Sequence, residues 1–267
     1  MKKILNFVNG SISSSSSNKF NPVFNPSTGE HISEVILSTN NELNEVINSS
    51  KRAFLEWSNF TPLKRSRILS KYKDNLEKNI DELAKIICTE HGKTYDDALG
   101  SITRGIEVVE FACGIPHLLK GEFSQNVGTG IDSWSVRQPI GIVAGITPFN
   151  FPAMVPLWMY PIAIACGNSF ILKPSEKNPS CAMKLAQLFC ESGLPDGVLN
   201  VINGDKNIVD LMIKSKEISS ISFVGSTPVA KSIYQNSSKN LKRVQALGGA
   251  KNHLIVMPDA NLDQAVD

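Results

Sequence analysis

Gly145-Ile-Thr-Pro-Phe-Asn-Phe-Pro152 closes an apolar run that begins at Ile140, and Lys173-Pro-Ser-Glu176 closes a second one that begins at Ser169. Each run has the length of a buried strand, and each ends abruptly in polar groups: a proline-braced turn bearing Asn150, then a lysine followed by an acid. Open α/β sheets bind ligands beyond the carboxyl ends of their strands, so these two ends are where a site belongs. Outward from this pair the same alternation continues. Further strands are expected at Val198–Ile202, Ile218–Val224 and Leu254–Val256. Helices are expected at Ala153–Cys166, Pro179–Ser192, Lys206–Lys214 and Thr227–Ser237. Strands alternating with helices at this spacing predict a parallel, Rossmann-like α/β sheet with helices on both faces.

The first half reads differently. Leu43, Val46, Ile47, Ala53, Phe54 and Trp57 recur at helical spacing between Asn41 and Phe60. Thr61-Pro62 sets a cap and a proline at the first helical position, opening a helix expected to reach about Glu90, and His91-Gly92-Lys93 breaks it. Another helix is expected from about Thr94 to Leu119, bent or ended by Pro116. Asn25-Pro-Ser-Thr-Gly29 is a turn signal, and the serine run Ser13 to Ser17 reads as a flexible surface turn between short strands. No strong linker divides the chain. The expected organisation is one unit over 1–267, its helical part (about 38–120) packed against an α/β part (about 134–260).

Composition excludes several classes. With 267 residues, 42% hydrophobic and 19% charged, the chain can bury a sizeable core. A net charge of +2, with scattered lysines, gives no nucleic-acid footprint. The five cysteines have no metal-type spacing, so no metal site is expected; their odd number reads as reduced thiols in a reducing compartment. No segment reaches the ~18 uninterrupted apolar residues of a membrane span. The longest candidate, Phe151 to Ala165, carries three prolines. The start does not resemble a secretory signal or a clear transit peptide, which points to the cytoplasm, or to the mitochondrial matrix in a eukaryote.

The motifs carry chemistry. Lys173 and Glu176 suit the two hydroxyls of an adenosine ribose, the lysine donating and the glutamate accepting. A glutamate there also repels a 2′-phosphate, although Lys177 offsets this. A surface ion pair at a helix start is the alternative reading. Gly225 in Phe223-Val-Gly-Ser-Thr-Pro228 permits close backbone approach, and Ser226 with the free N–H groups of the following helix can hold a pyrophosphate. No G-x-G-x-x-G occurs, so a capped helix start is the alternative here. Asn150, between two prolines, offers a fixed amide donor, or merely closes a turn.

The order I-T-P-F-N-F-P, K-P-S-E, F-V-G-S-T, G-G-A-K-N-H resembles the aldehyde dehydrogenase superfamily, from its N-terminus to just past its cofactor domain. Three further stretches are similar to the CoA-acylating, methylmalonate-semialdehyde branch. They are Pro148-Phe-Asn-Phe-Pro152 with Pro156-Leu-Trp-Met-Tyr-Pro161, Thr103-Arg-Gly-Ile-Glu107 with Glu110-Phe-Ala-Cys-Gly114, and Lys242 to His253. The resemblance implies NAD as cofactor. Thr147 and Phe149 would border it, Lys173, Glu176 and Lys177 would surround the ribose, Gly225 and Ser226 would meet the pyrophosphate, and Gly248 would lie near the nicotinamide. Asn150 becomes the oxyanion donor and Arg104 the anchor of a substrate carboxylate, by bidentate pairing. Hydrolytic relatives carry a glutamate in E-L-G-G-K that activates water; here Ala246 or Leu247 stands there, depending on alignment. Neither is a base. A thiol such as coenzyme A needs less help than water to take an acyl group, so the resemblance implies CoA as co-substrate, with propionyl- or acetyl-CoA as product.

The family's nucleophilic cysteine lies further along than Asp267. None of Cys88, Cys113, Cys166, Cys181 and Cys190 fits that role, each standing in an apolar helical context. The catalytic domain is thus expected to be absent from this chain, which alone would be inactive, and full-length relatives are expected to be homo-oligomers. Two alternatives stay open: another aldehyde dehydrogenase branch, or a non-catalytic NAD-binding remnant.

Overall fold

The computed structural model describes residues 2–266. In chain order the elements are β1 (Lys2–Ile4), β2 (Phe7–Val8), β3 (Ser11–Ile12), β4 (Phe20–Phe24), β5 (His31–Ile36), α1 (Asn40–Trp57), α2 (Pro62–Lys78), α3 (Ile80–His91), α4 (Tyr95–Cys113), α5 (Ile115–Leu118), β6 (Phe123–Gly128), β7 (Ile131–Trp134), β8 (Ile142–Ile146), α6 (Met154–Ala165), β9 (Ser169–Lys173), α7 (Ser180–Glu191), β10 (Leu199–Val201), α8 (Lys206–Lys214), β11 (Ile218–Val224), α9 (Thr227–Lys239), β12 (Arg243–Leu247) and α10 (Leu262–Val266).

The main sheet runs β12-β11-β8-β9-β10-β2-β3, parallel from β12 to β10 and antiparallel where β2 and β3 extend it. Side chains alternate across it with the period of two that a strand imposes. Val143, Phe170, Leu172, Leu199 and Val201 join the core under α2, α3, α4, α6 and α7. Ile142, Ala144, Ile146, Ile171 and Ile221 join the core under α1, α8 and α9. The Rossmann-like expectation is met, with the helical first half packed on the sheet. The chain steps from β8 to β9 to β10 in one direction and then returns to place β11 on the other side of β8. The strand order therefore reverses between β8 and β11, and a crevice opens beyond their carboxyl ends.

The first-half helices hold α6, which follows the Asn150 loop. Trp57 donates its indole N–H to the Ile164 carbonyl at 2.9 Å, and Arg65 Nε donates to the Ala165 carbonyl at 2.9 Å. A Cβ on Gly105 of α4 would lie 2.6 Å from Leu157 Cδ1, so only glycine lets α4 approach α6 this closely.

Several expectations need correction. Leu254–Val256 is not a strand: these residues lie outside any element, and Leu254 and Ile255 are 79% and 84% exposed. The edge strand is β12, whose Arg-Val-Gln-Ala-Leu alternates exposed and half-buried positions. The helix expected from Thr61 to Glu90 is two, because Asn79 takes a non-helical ψ of 13° and caps α2 while opening α3. The helix expected to Leu119 breaks at Gly114, and Pro116 lies inside the short α5 rather than at the break. The serine run is a hydrogen-bonded loop: Ser17 is buried and donates to the Leu37 carbonyl at 2.7 Å, while Ser15 donates to Glu42.

Candidate functional site

The turn after β9 is built from buried charge. Lys173 is 5% exposed, and its Nζ lies 3.1 Å from Glu176 Oε2. Burial alone would push the Glu176 carboxyl up. The Lys173 ammonium opposes it, together with the residue's own backbone N–H and Lys177, and the carboxyl is held below its ordinary value. Glu176 is therefore an ionised acceptor at neutral pH, about a third exposed to whatever enters the crevice. Ser175 Oγ accepts from the Lys177 N–H at 3.2 Å and tightens the turn.

The loop after β8 lies against this turn. Thr147, buried at the strand end, donates its backbone N–H to the Lys173 carbonyl at 3.1 Å. Phe149 is half exposed, with the Lys177 ammonium 4.6 Å from its ring centroid and the His91 ring stacked on it at 6.2 Å. Lys93 lies 4.0 Å from the Phe151 ring. Asn150 is exposed, and no hydrogen bond to its side chain occurs among the described residues. The loop thus holds its neighbours while leaving the Asn150 amide available. A cavity of about 610 Å³ is lined by Phe149, Glu176, Lys177 and Asn178 together with Phe24 and His91 among others.

Across the crevice, Gly225 donates its N–H to the Leu247 carbonyl at 3.1 Å, and any side chain there would collide with the Phe223 ring. Ser226 is the N-cap residue of α9 but makes no side-chain cap bond, so the first-turn N–H groups of Thr227 and Val229 are left uncapped; Pro228 between them has none. A cap position without a capping bond, at an exposed helix start facing a crevice, is chemically an anion cradle. Gly248 packs against the same helix start: a Cβ there would lie 3.0 Å from Thr227 Oγ1, which accepts from the Gly249 N–H at 2.9 Å.

The structure therefore brings Thr147, Phe149, Lys173, Glu176 and Lys177 into one connected group, and Gly225, Ser226 and Gly248 into a second. Arg104 stands on the exposed side of α4, without an ion pair among the described residues. Ala246 and Leu247 end β12, the first half-buried and the second exposed, and neither offers a titratable group. Sequence reasoning passed over His91 and Asn178. His91 counted only as a helix breaker, and Asn178 lay just past the last motif residue read.

Four of the cysteines are poor nucleophiles. Burial pushes the Cys113, Cys166 and Cys181 thiols up and the Cys190 thiol up to about 12. Among the described residues no cluster of three or more potential metal ligands occurs, and no helix is long and apolar enough to cross a membrane.

Comparison with known proteins agrees with this geometry. Residues 12–267 match the aldehyde dehydrogenase family model. A malonate-semialdehyde dehydrogenase of Pseudomonas aeruginosa is 59% identical over 244 residues, covering 91% of this chain and 49% of the relative. Malonate-semialdehyde dehydrogenase 3 of Geobacillus kaustophilus is 51% identical over 265 residues, covering 99% and 55%. Among solved structures, the methylmalonate-semialdehyde dehydrogenase of Oceanimonas doudoroffii superposes with a TM-score of 0.96 at 54% identity, covering all of this chain and 54% of that one. A Sinorhizobium meliloti 1021 protein of the same description, complexed with NAD, has a TM-score of 0.96 at 50% identity, covering 99% and 54%. The chain spans about half the length of the relatives it matches. Its motifs, its sheet and these matches agree on one conclusion: the chain belongs to the aldehyde dehydrogenase family.

Proposed function

We propose that this chain carries the NAD-binding half of a CoA-acylating malonate- or methylmalonate-semialdehyde dehydrogenase, as a single dinucleotide-binding unit over 1–267. The observation that carries the reading is the ionised Glu176 beside buried Lys173, facing the uncapped start of α9 across the point where strand order reverses. These residues fit a dinucleotide. Lys173 and Glu176 would hold the two ribose hydroxyls, the N–H groups after Ser226 would hold the pyrophosphate, and Gly225 leaves room for it. Thr147 and Phe149 would border the cofactor, Lys177 would flank the ribose, and Gly248 would lie near the nicotinamide. NAD supplies a hydride acceptor.

The chain's own residues position and stabilise. Asn150 would donate its amide N–H to the oxygen that gains negative charge as an aldehyde is attacked; one such donor is worth roughly 3–4 kcal/mol of barrier. Arg104 would pair with the carboxylate of the semialdehyde. The absence of a base at Ala246 and Leu247 supports acyl transfer to a thiol rather than to water. The names of the similar proteins support the semialdehyde.

Two measurements test this. Calorimetric titration of the chain with NAD should give saturable binding that weakens about 10-fold or more in Lys173→Ala/Glu176→Ala, by loss of charge-assisted hydrogen bonds. Unchanged affinity would discard the cofactor site. The protein purified from its native source should then form NADH from malonate semialdehyde only when CoA is present. Free acid formed without CoA would move the chain to another branch.

A further inference from the structure

The loop after β8 and the turn after β9 are joined at a point the chemistry above does not use. Asn178 is 3% exposed, and its Nδ2 donates to the Phe149 carbonyl at 2.6 Å. The carbonyl fixes which end of the amide faces it, because Oδ1 in that place would set two acceptors against each other. The Phe149 carbonyl and the Asn150 N–H belong to one rigid peptide plane. A buried donor on the carbonyl therefore sets the rotation of that plane, and with it the direction in which the Asn150 side chain leaves the backbone.

Other restraints act elsewhere in the loop. Thr147 is tied to Lys173, and the Phe151 carbonyl accepts from Val155 at 3.3 Å. The His91 and Lys177 contacts act on the Phe149 ring, not on its peptide. Asn150 itself has no side-chain hydrogen bond among the described residues. Asn178 also stands two residues beyond Glu176, so a displacement of the ribose turn is delivered directly to the Phe149–Asn150 peptide.

We infer that Asn178 is a positioning residue: its Nδ2–H fixes the Phe149–Asn150 peptide, aims the Asn150 amide, and couples that aim to occupancy of the Lys173–Glu176 turn. The role given to Asn150 rests on the proposed function; the hydrogen-bonded link does not.

The test is ¹⁵N relaxation of the Asn150 amide in the wild-type chain, in Asn178→Ala and in Asn178→Asp, without and then with NAD. In the wild type the Asn150 order parameter should be about 0.85, as for rigid backbone, and in both variants it should fall below about 0.6 while the β9 amides stay rigid. Asn178→Asp, recorded at a pH high enough to ionise its carboxyl, keeps size and shape but removes the donor, so it separates a hydrogen bond from packing. A loosened Ala variant beside a rigid Asp variant would assign the effect to packing and overturn the inference, as would a rigid Asn150 in both. With NAD, wild-type Asn150 resonances should shift together with those of the Glu176 turn, whereas in the variants only the turn should move. Asn150 shifts of wild-type size in both variants would overturn the coupling. Failure of NAD to bind the wild type would sink the proposed function and the coupling, while the order parameters still decide the positioning role.

Discussion

The two sides of the crevice are built differently. At the end of β9, Lys173 is buried, Glu176 is already paired with it, and the turn is hydrogen-bonded to the neighbouring loop through Thr147 and Asn178. At the ends of β11 and β12, Ser226 is exposed and makes no capping bond, Leu247 is 46% exposed, and residues 249–266 are all exposed. One side is preformed and the other open. A preformed site loses less freedom when it binds, so it should supply most of the affinity for a dinucleotide. The open side should contribute less to affinity and to stability in the absence of ligand.

The sharpest way to break this comparison is Lys173→Ala. It removes a donor and leaves Glu176 without its ion-pair partner, so NAD affinity should fall by about 10- to 100-fold in a titration, the range of one charged hydrogen bond. A change smaller than that produced on the β11 side would reverse the assignment of the two ends. Glu176→Gln should have a smaller effect, reducing NAD affinity by roughly 10-fold and narrowing any preference over NADP, because the like-charge repulsion of a 2′-phosphate disappears. The pH dependence has a definite sign. The Glu176 carboxyl is held below its unfolded value of about 4.3, so its contribution to stability is complete above that pH and is lost as pH falls through the lower folded value. The stabilities of wild type and Glu176→Gln should therefore draw together as pH falls below the unfolded value and converge below the folded one. An offset that stays constant through that range would show that the difference between them does not come from the ionised carboxyl.

How much of this was legible depends on where the signal sits. β8 and β9 are near-continuous apolar runs ended by turn residues, and such runs announce themselves; β11 interleaves serines with Ile218, Ile221, Phe223 and Val224 and is marked by the glycine that follows it. β12 did not announce itself, because Arg243-Val-Gln-Ala-Leu247 is short and half polar; its alternation matters only beside β11. Leu254–Val256 failed for the opposite reason. It has strand composition, but none of the other strands pairs with it. Lys173 and Glu176 could be picked out because a charged pair at the end of a buried strand is unusual. The Phe149–Asn178 hydrogen bond could not, because it joins residues 29 apart through a backbone carbonyl, and no side-chain pattern encodes an acceptor that every residue possesses. The missing cap at Ser226 was equally hidden: serine before a helix predicts a capping bond, and only geometry shows that none forms.

On the open side, Gly248→Ala tests how much slack remains. Its Cβ would lie 3.0 Å from Thr227 Oγ1 and 3.1 Å from Thr227 Cα, tight enough to require a small shift of β12 against α9. With β12 at the sheet edge, the shift should lower stability by under about 1 kcal/mol in urea unfolding and reduce NAD affinity by only a few-fold.

The smallest effect should come from Ser226→Ala, and its smallness is the informative part. At an ordinary N-cap this replacement costs about 1 kcal/mol, because the serine oxygen leaves a first-turn N–H without an acceptor. Here that acceptor is not engaged, so thermal unfolding of the unliganded chain should shift by no more than about 1–2 °C. The N–H groups that a pyrophosphate would use are backbone groups and survive the substitution, so NAD affinity should also change little, by roughly 3-fold at most. A loss of a full kcal/mol in the unliganded protein would mean that Ser226 caps α9 in solution. The two sides of the crevice would then both be closed before ligand arrives, and the contrast between them would disappear.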